Sequence, residues 1–216
     1  MARIASVSES FADVCRKARR HLTRKDPLLA QLIKHVGACT LQPGAEAFPA
    51  LARAIIAQMI STKAAQAITL RVVTSLQPHG LTPAAVVSAS EDALRGAGLS
   101  RNKALALKDL AERTVSGALP LDRLSAMSDE EVIDVLIPVR GIGRWTAEMF
   151  LIFSLGRLDV LPVDDFGLRA GVRDVYQLPD LPGRADLRER GEMWRPYRSI
   201  ATWYFWRSRG WVPQSQ

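Results

Sequence analysis

A Gly-Ile-Gly sequence stands between two apolar stretches in the segment from Leu136 to Asp165, LIPVRGIGRWTAEMFLIFSLGRLDVLPVDD. Apolar residues recur at helical spacing before the glycines and again from Arg144 to Leu155. Two glycines permit backbone conformations closed to other residues, so Ile142 can point inward while peptide N–H groups face outward. The segment therefore predicts two helices joined by a tight turn.

The rest of the chain is also predicted to be helical. Alternation typical of strands is nowhere sustained, and short loops rich in proline and glycine separate the apolar periodic stretches. We expect an all-α protein whose 216 residues form a single unit of residues 1–216. The predicted helices, besides 144–155, are 11–22, 27–35, 48–74, 101–116 and 129–137.

Composition indicates an anionic partner and limits the cofactors. The chain carries 29 basic and 22 acidic residues, a formal charge of +7, although many basic proteins bind no nucleic acid. Two cysteines, Cys15 and Cys39, are too few for a cysteine-only zinc site or an iron–sulfur cluster. His21, His35 and His79 lack ligand spacing, so we expect no catalytic metal.

No apolar run approaches the roughly 20 residues that cross a bilayer. The first ten residues lack the charged and then apolar pattern of a signal peptide. We expect a protein of the cytoplasm or the nucleoid that does not bind membranes.

The predicted turn is a candidate anion site. Peptide N–H groups at the start of a helix, together with its positive dipole end, favour a phosphate. Arg140 and Arg144 add positive charge. The alternative is an ordinary turn in which glycine only permits a tight connection. The candidate DNA-binding residues here are Arg140, Gly141, Ile142, Gly143 and Arg144.

Three motifs, at residues 55–65, 141–165 and 194–206, resemble in their order and spacing those of the helix-hairpin-helix DNA glycosylases. GIGRWTA followed by LPVDD is similar to the 3-methyladenine DNA glycosylase II branch, which removes alkylated purines. IIAQMISTKAA at residues 55–65 resembles that branch's helix and turn entering the minor groove. WRPYRS from Trp194, continuing to Trp206, resembles its last helix. The similarity covers about residues 45–216.

The resemblance implies a two-lobed helical bundle with a helix-hairpin-helix motif and a DNA-binding cleft between the lobes. One lobe is expected at about 45–125 and the other from about 1–40 with 126–216. The chain is too short for the extra N-terminal β-rich domain of larger bacterial members. We expect a monomer that binds double-stranded DNA containing alkylated bases.

Two adjacent acids, Asp164 and Asp165, are the catalytic candidates. Cleavage of a purine N-glycosidic bond builds positive charge on the deoxyribose, which a carboxylate stabilises while it orients or deprotonates water. Matching the loop length of the alkylpurine branch assigns catalysis to Asp165, whereas matching Pro-Val-Asp to other branches chooses Asp164. For either acid the alternative is capping of the following helix, which we expect to run to about Val172.

Aromatic residues are candidates for the base pocket. A flipped, positively charged alkylpurine is attracted to an electron-rich ring. The match to the family's last helix selects Trp206, and Trp203 is the alternative on the same helix face. Trp145 is a third candidate for the pocket, and packing in the core is its other interpretation. It stands where bifunctional relatives carry a lysine nucleophile, which predicts hydrolysis without strand cleavage.

The turn at residues 58–61 is predicted to contact DNA. Met59 matches the family's wedge, which fills the gap left by the flipped base, although a methionine between isoleucines is often a core residue. Many relatives have Gln-Gln where this chain has Gln58-Met59. A helix start here could grip the phosphates that flank the lesion. The DNA-binding candidates of this turn are Gln58, Met59, Ser61, Thr62 and Lys63.

The resemblance implies no cofactor apart from a monovalent cation held by hairpin carbonyls near Val139 and Ile142. The alternative function is a non-catalytic helix-hairpin-helix DNA-binding module. The acid pair argues against it, because carboxylates oppose the attraction of phosphates. A mismatch or oxidised-base glycosylase is disfavoured by the absence of the hairpin lysine and of a cysteine cluster.

Overall fold

A computed structural model describes residues 10–208, and the regular secondary structure in that range is helical, which confirms the all-α prediction. The elements are α1 (Phe11–Lys25), α2 (Pro27–Val36), α3 (Ala47–Ala57), α4 (Thr62–Ser75), α5 (Pro83–Ser88), α6 (Glu91–Gly96), α7 (Arg101–Val115), α8 (Asp129–Leu136), α9 (Arg144–Phe153), α10 (Phe166–Tyr176), α11 (Arg184–Gly191) and α12 (Arg198–Phe205), with 3-10 turns at Leu124–Ala126 and Glu192–Trp194.

The helix expected over 48–74 is two helices. Met59 adopts a left-handed backbone with φ 57°, which an α-helix cannot contain. The Ser61 side chain then accepts the Ala64 N–H at 3.2 Å and begins α4. The backbone of Met59 therefore interrupts the helix, the Ser61 cap starts the next one, and residues 58–61 form an exposed turn between them.

The chain divides into two compact units, and Pro43–Gly156 forms one of them. Helix α7 is its centre and packs against α3, α5 and α6. Helices α8 and α9 form the predicted hairpin, and α9 packs on α3. Residues 126–156 thus lie in this unit, whereas we expected them in the other lobe. The reason is contact within this unit, because Asp109 of α7 accepts the Arg140 N–H and the Gln58 amide donates to the Gly141 carbonyl.

The other unit combines residues 10–42 with residues 157–208. Its core helix is α12, which packs against α1, α2 and α10 and is buried from Ser199 to Phe205. The carboxylate of Asp26, at the junction of α1 and α2, is also buried. It accepts the Leu28 and Leu29 N–H groups at 3.1 and 3.0 Å, the Trp194 indole N–H at 2.9 Å, and the Tyr176 hydroxyl.

Helices α10 and α12 approach each other closely at a glycine. A Cβ added to Gly171 would lie 2.4 Å from the carbonyl oxygen of Phe205, inside van der Waals contact. No other residue fits there without a shift of one helix. This contact determines where the start of α10 lies relative to the end of α12.

Within the described residues, no helix is both long enough and apolar enough to cross a bilayer.

Candidate active site

Asp165 and Trp206 meet at the start of α10. Asp165 is 8% exposed and caps the helix, with Oδ1 accepting the Leu168 N–H at 2.6 Å. The same oxygen accepts the indole N–H of Trp206 at 2.7 Å. Two donors on one oxygen, together with burial, hold this carboxylate in one orientation. A fixed carboxylate beside a large aromatic ring is suited to act on a cationic sugar and base.

Gly167 makes room for this pair. A Cβ at this position would lie 2.9 Å from Cδ1 of Trp206 and 3.1 Å from Oδ1 of Asp165. Gly167 and Gly171 are four residues apart and therefore lie on one face of α10. This glycine face lets the end of α12 cross the start of α10 at close range.

Asp164 has a different environment. Its side chain is exposed and forms an ion pair with Arg184, at the start of α11. It does not cap α10, since Asp165 does. Asp165, the acid that the match to the alkylpurine branch selects for catalysis, is therefore also the acid that caps α10. Its role as a cap does not by itself show which of the two acids is catalytic.

The three tryptophans named from the sequence lie in different surroundings. Trp203 is 2% exposed, packs edge-on against Tyr204, and has the Arg207 guanidinium 3.5 Å from its ring centroid. Trp206 is half-buried beside Asp165. Trp145, in the second position of α9, is 46% exposed and is not a core residue.

The hairpin turn uses its two glycines differently. Gly141 has φ 79°, a left-handed conformation, and a Cβ there would meet the Ala106 Cβ at 3.3 Å. Gly143 has φ −98°, which other residues adopt, so the expectation that both glycines serve backbone freedom was wrong. Gly143 precedes α9 and, having no side chain, provides no capping oxygen to its first N–H groups. An anion can act as that acceptor.

The two arginines of the hairpin already bind protein groups. Arg140 donates its backbone N–H to Oδ2 of Asp109 at 2.7 Å and its guanidinium to Asn102 at 3.2 Å. Arg144 pairs with Glu130 at 2.5 and 3.0 Å and with Glu148 at 3.2 Å. The hydrogen bond from Arg144 lowers the pKa of Glu130. Arg144 would have to leave or share these carboxylates to bind a phosphate.

The turn after α3 presents the predicted DNA-contacting side chains to solvent. Met59 is 100% exposed, so its interpretation as a core residue was wrong. Thr62 and Lys63 are exposed at the start of α4, next to the capping Ser61. Gln58 instead donates its side-chain amide to the carbonyl oxygen of Gly141 at 2.7 Å, which ties this turn to the hairpin.

In residues 10–208, His, Cys, Asp and Glu side chains nowhere gather in the threes that could hold a metal ion. Cys15 and Cys39 are both free thiols.

Sequence reasoning missed four residues that hold these parts together: Lys103, Asp109, Gly167 and Gly171. The i, i+4 spacing of the glycines was a usable signal, because it is typical of a close helix contact. Lys103 and Asp109 gave no signal, since charged residues on a helix usually face solvent. Lys103 donates to the backbone carbonyls of Ile56 and Gln58, and Asp109 accepts the backbone N–H of Arg140, contacts that only the folded chain brings about.

Comparison with known proteins identifies the family of the chain. Residues 52–196 match the family described as HhH-GPD superfamily base excision DNA repair protein, where HhH denotes helix-hairpin-helix. The chain is 37% identical over 200 residues to DNA-3-methyladenine glycosylase 1 of Schizosaccharomyces pombe, covering 89% of this chain and 86% of that protein.

Two solved structures are similar over most of the chain. The 3-methyladenine DNA glycosylase of Schizosaccharomyces pombe, in complex with abasic DNA, superposes with a TM-score of 0.80 at 35% identity, covering 92% of this chain and 100% of that one. A DNA-3-methyladenine glycosidase from Bacillus halodurans gives a TM-score of 0.81 at 36% identity, covering 90% and 89%. The chain therefore belongs to the HhH-GPD superfamily of base excision DNA repair proteins.

Proposed function

We propose that this protein is a monofunctional DNA glycosylase that hydrolyses the N-glycosidic bond of alkylated purines such as 3-methyladenine and leaves an abasic site. The hydrogen bond between Asp165 and Trp206 carries the proposal, because it joins a carboxylate to an aromatic ring at the start of one helix. The names of the similar proteins, 3-methyladenine DNA glycosylases, support the substrate class.

The chemistry follows from the charge that develops in the reaction. As the bond between base and deoxyribose breaks, positive charge grows on the sugar, and the oriented carboxylate of Asp165 stabilises it. The electron pair of the bond leaves with the purine, whose alkylation has already made it cationic. Asp165 also accepts a proton from the water that attacks the anomeric carbon. The indole of Trp206 attracts the cationic base through its ring face.

The turn and the hairpin would bind the DNA around the lesion. Met59, fully exposed, would enter the base stack in place of the flipped nucleotide. The first N–H groups of α9, which Gly143 leaves without a side-chain cap, would bind a phosphate. Thr62 and Lys63 are exposed where they can contact the flanking backbone. Trp145 has no amine, so the abasic product would not be cleaved further.

A monovalent cation at the hairpin remains part of this proposal. The carbonyl oxygens of Val139 and Ile142 would bind it, and the first of these also accepts the Ile142 N–H at 3.0 Å. Carbonyl oxygens are suitable ligands for such an ion, whose charge would add to the attraction for phosphate. We further propose that the protein acts as a monomer at the chromosome.

Base release from methylated DNA tests the function. Wild type should release 3-methyladenine, and Asp165→Asn should reduce the single-turnover rate by about 100-fold or more, since it removes a stabilising charge. Asparagine is also a good helix cap, so folding should be retained. Asp164→Asn is the matched control and should remain within about twofold of wild type, given that its carboxylate pairs with Arg184 in solvent.

Other outcomes would refute parts of the proposal. Release that survives Asp165→Asn but disappears in Asp164→Asn would reverse the assignment of the acids. A wild type that binds abasic DNA yet releases no base would be a binding module. Strand scission without heat or alkali would contradict the inference from Trp145.

A further inference from the structure

Helix α7 contributes a lysine to the turn that carries Met59. The Nζ of Lys103 donates hydrogen bonds to the carbonyl oxygens of Ile56 at 2.8 Å and of Gln58 at 2.7 Å. These carbonyls lie at the end of α3, where intrahelical partners run out. Partial burial of the ammonium group lowers the pKa of Lys103. Hydrogen bonds in such surroundings are stronger than those at an open surface.

One of these bonds fixes the peptide that precedes Met59. The Gln58 carbonyl belongs to the peptide plane between Gln58 and Met59, whose rotation sets the φ angle of Met59. That angle is 57°, a left-handed value that costs a non-glycine residue roughly 1–2 kcal/mol. A conformation of this cost persists only where neighbouring groups hold it. Lys103 holds this peptide by donating a hydrogen bond to the Gln58 carbonyl oxygen.

The same helix also holds the hairpin. Asp109 accepts the Arg140 N–H at 2.7 Å, and the Gln58 amide joins the turn to the Gly141 carbonyl at 2.7 Å. The connections close a ring from α7 to the turn, from the turn to the hairpin, and from the hairpin back to α7. Lys103 and Asp109 therefore fix two separate loops against one rigid helix.

We propose that Lys103 is a positioning residue for base flipping, which pins the Gln58–Met59 peptide so that the Met59 side chain stands ready to enter the base stack. The inference rests on the proposed function, in which Met59 fills the gap left by the flipped base. Lys103 acts through Met59 and contacts neither the base nor the reacting atoms.

A rival role for Lys103 is a direct contact with a DNA phosphate. The two roles differ in their salt dependence. Loss of one phosphate contact reduces the slope of log affinity against log salt by about one, because fewer counterions are released. Loss of a positioning contact leaves the slope unchanged but impairs flipping at saturating protein.

The experiment compares Lys103→Met with Lys108→Met. Lys108 is a matched control, because it lies on the same helix and donates to a backbone carbonyl, that of Val87, at 3.0 Å. Each variant is bound to a duplex with 2-aminopurine beside a tetrahydrofuran abasic site, and fluorescence reports unstacking at saturation. Lys103→Met should reduce the flipping equilibrium roughly tenfold with an unchanged salt slope, while Lys108→Met should match wild type.

A double-mutant cycle shows whether Lys103 acts through Met59. Met59→Ala alone should impair flipping, and adding Lys103→Met should cause no further loss, whereas independent roles would give additive losses. If Lys103→Met fails to fold, Lys103→Gln replaces it, since the glutamine amide lacks the charge and is too short to reach both carbonyls. The expected loss of flipping with an unchanged slope is the same.

Three results would overturn the inference: flipping by the folded lysine variant equal to wild type, a slope reduced by about one with normal flipping at saturation, or additive losses in the cycle. Each of these leaves base release by wild type intact. If wild type itself neither flips nor releases the base, the proposed function fails instead.

Discussion

The indole nitrogen of Trp206 lies 2.7 Å from Oδ1 of Asp165, so the residue that immediately follows α12 orients the acid that immediately precedes α10. The bond joins Asp165, which we propose acts on the sugar, to Trp206, which we propose binds the base. It also makes their functions separable, because the N–H and the ring face of one side chain serve different partners.

Trp206→Phe should slow base release by about 10- to 100-fold while abasic-site binding is kept. Phenylalanine keeps an aromatic face but loses the N–H donor, and a hydrogen bond to a charged group contributes about 1.5–3 kcal/mol. Trp206→Ala should lose more, because the ring face is also removed. Single-turnover release and binding to abasic DNA measure the two effects. A Phe variant as fast as wild type would show that the hydrogen bond has no part in catalysis.

Gly167→Ala should impair activity more than stability. Its Cβ would lie 2.9 Å from Cδ1 of Trp206, so the ring must move away from Asp165. The gain in helix propensity, about 0.5–1 kcal/mol, offsets part of the strain. We expect at least a roughly tenfold loss in release rate and a change in unfolding free energy below about 1 kcal/mol.

Alanine substitutions at two other glycines serve as comparisons for Gly167→Ala. Gly171→Ala meets the Phe205 backbone at 2.4 Å and should destabilise the protein by about 1–3 kcal/mol, since backbone cannot turn aside. Gly96→Ala, in α6, meets nothing within 4 Å and should be neutral or stabilising. Urea denaturation of the three variants checks the order. A Gly167→Ala protein with full activity would mean that the ring position is not critical.

Glu130→Gln should strengthen DNA binding. Glu130 holds the guanidinium of Arg144 with bonds of 2.5 and 3.0 Å, so its neutralisation frees Arg144 for a phosphate. The salt slope should steepen by about one. Glu131→Gln removes the same charge one residue away and keeps the cap on Ser128, which makes it the control. An unchanged slope would mean that Arg144 remains with Glu148.

The same ion pair carries a small pH dependence of stability. Because the pKa of Glu130 is lowered in the folded protein, the pair stabilises it above the ordinary glutamate pKa, and this contribution is lost as the pH falls through the lowered value. Glu130 is largely exposed, so solvent screening keeps the contribution below about 1 kcal/mol. Wild type and Glu130→Gln should therefore converge in stability in acid.

Asp26→Asn should destabilise the protein by about 2 kcal/mol without altering the chemistry. The buried carboxylate accepts the Trp194 indole N–H at 2.9 Å and the Tyr176 hydroxyl, and an amide in its place would set donor against donor. Asp13→Asn, in the first turn of α1, removes a partly exposed carboxylate that pairs with Arg16 and should cost about 1 kcal/mol or less. Urea unfolding measures both. If Asp26→Asn had a lower activity per folded molecule than Asp13→Asn, the substitution would have shifted α10.

Local patterns predicted much of the site. Helical periodicity located α1, α2, α7, α8 and α9, and the glycines of GIG located the turn between the last two. The exposed Met59 and the half-buried Trp206 have the surroundings that their proposed roles require. These features depend on neighbours in sequence, such as caps, glycines and apolar spacing. Lys103 and Asp109 were not predicted, because the sequence around a charged helix residue is the same whether its side chain faces water or a backbone group of a distant segment.

Residue types at short spacing predicted five of the helices, the hairpin and the acid pair, and they placed a tryptophan at position 145, where the sequence resemblance expects a lysine in bifunctional relatives. The folded chain was needed to show that Asp165 is the acid buried against Trp206, that Trp203 is a core residue, and that the hairpin lies in the unit Pro43–Gly156. Those choices depend on close packing between segments far apart in the chain, as at Gly171 and Phe205. Steric exclusion acts only where two segments touch, and the hydrogen bonds between them form only after the segments have packed. Neither effect can be predicted from the residues that are neighbours in sequence.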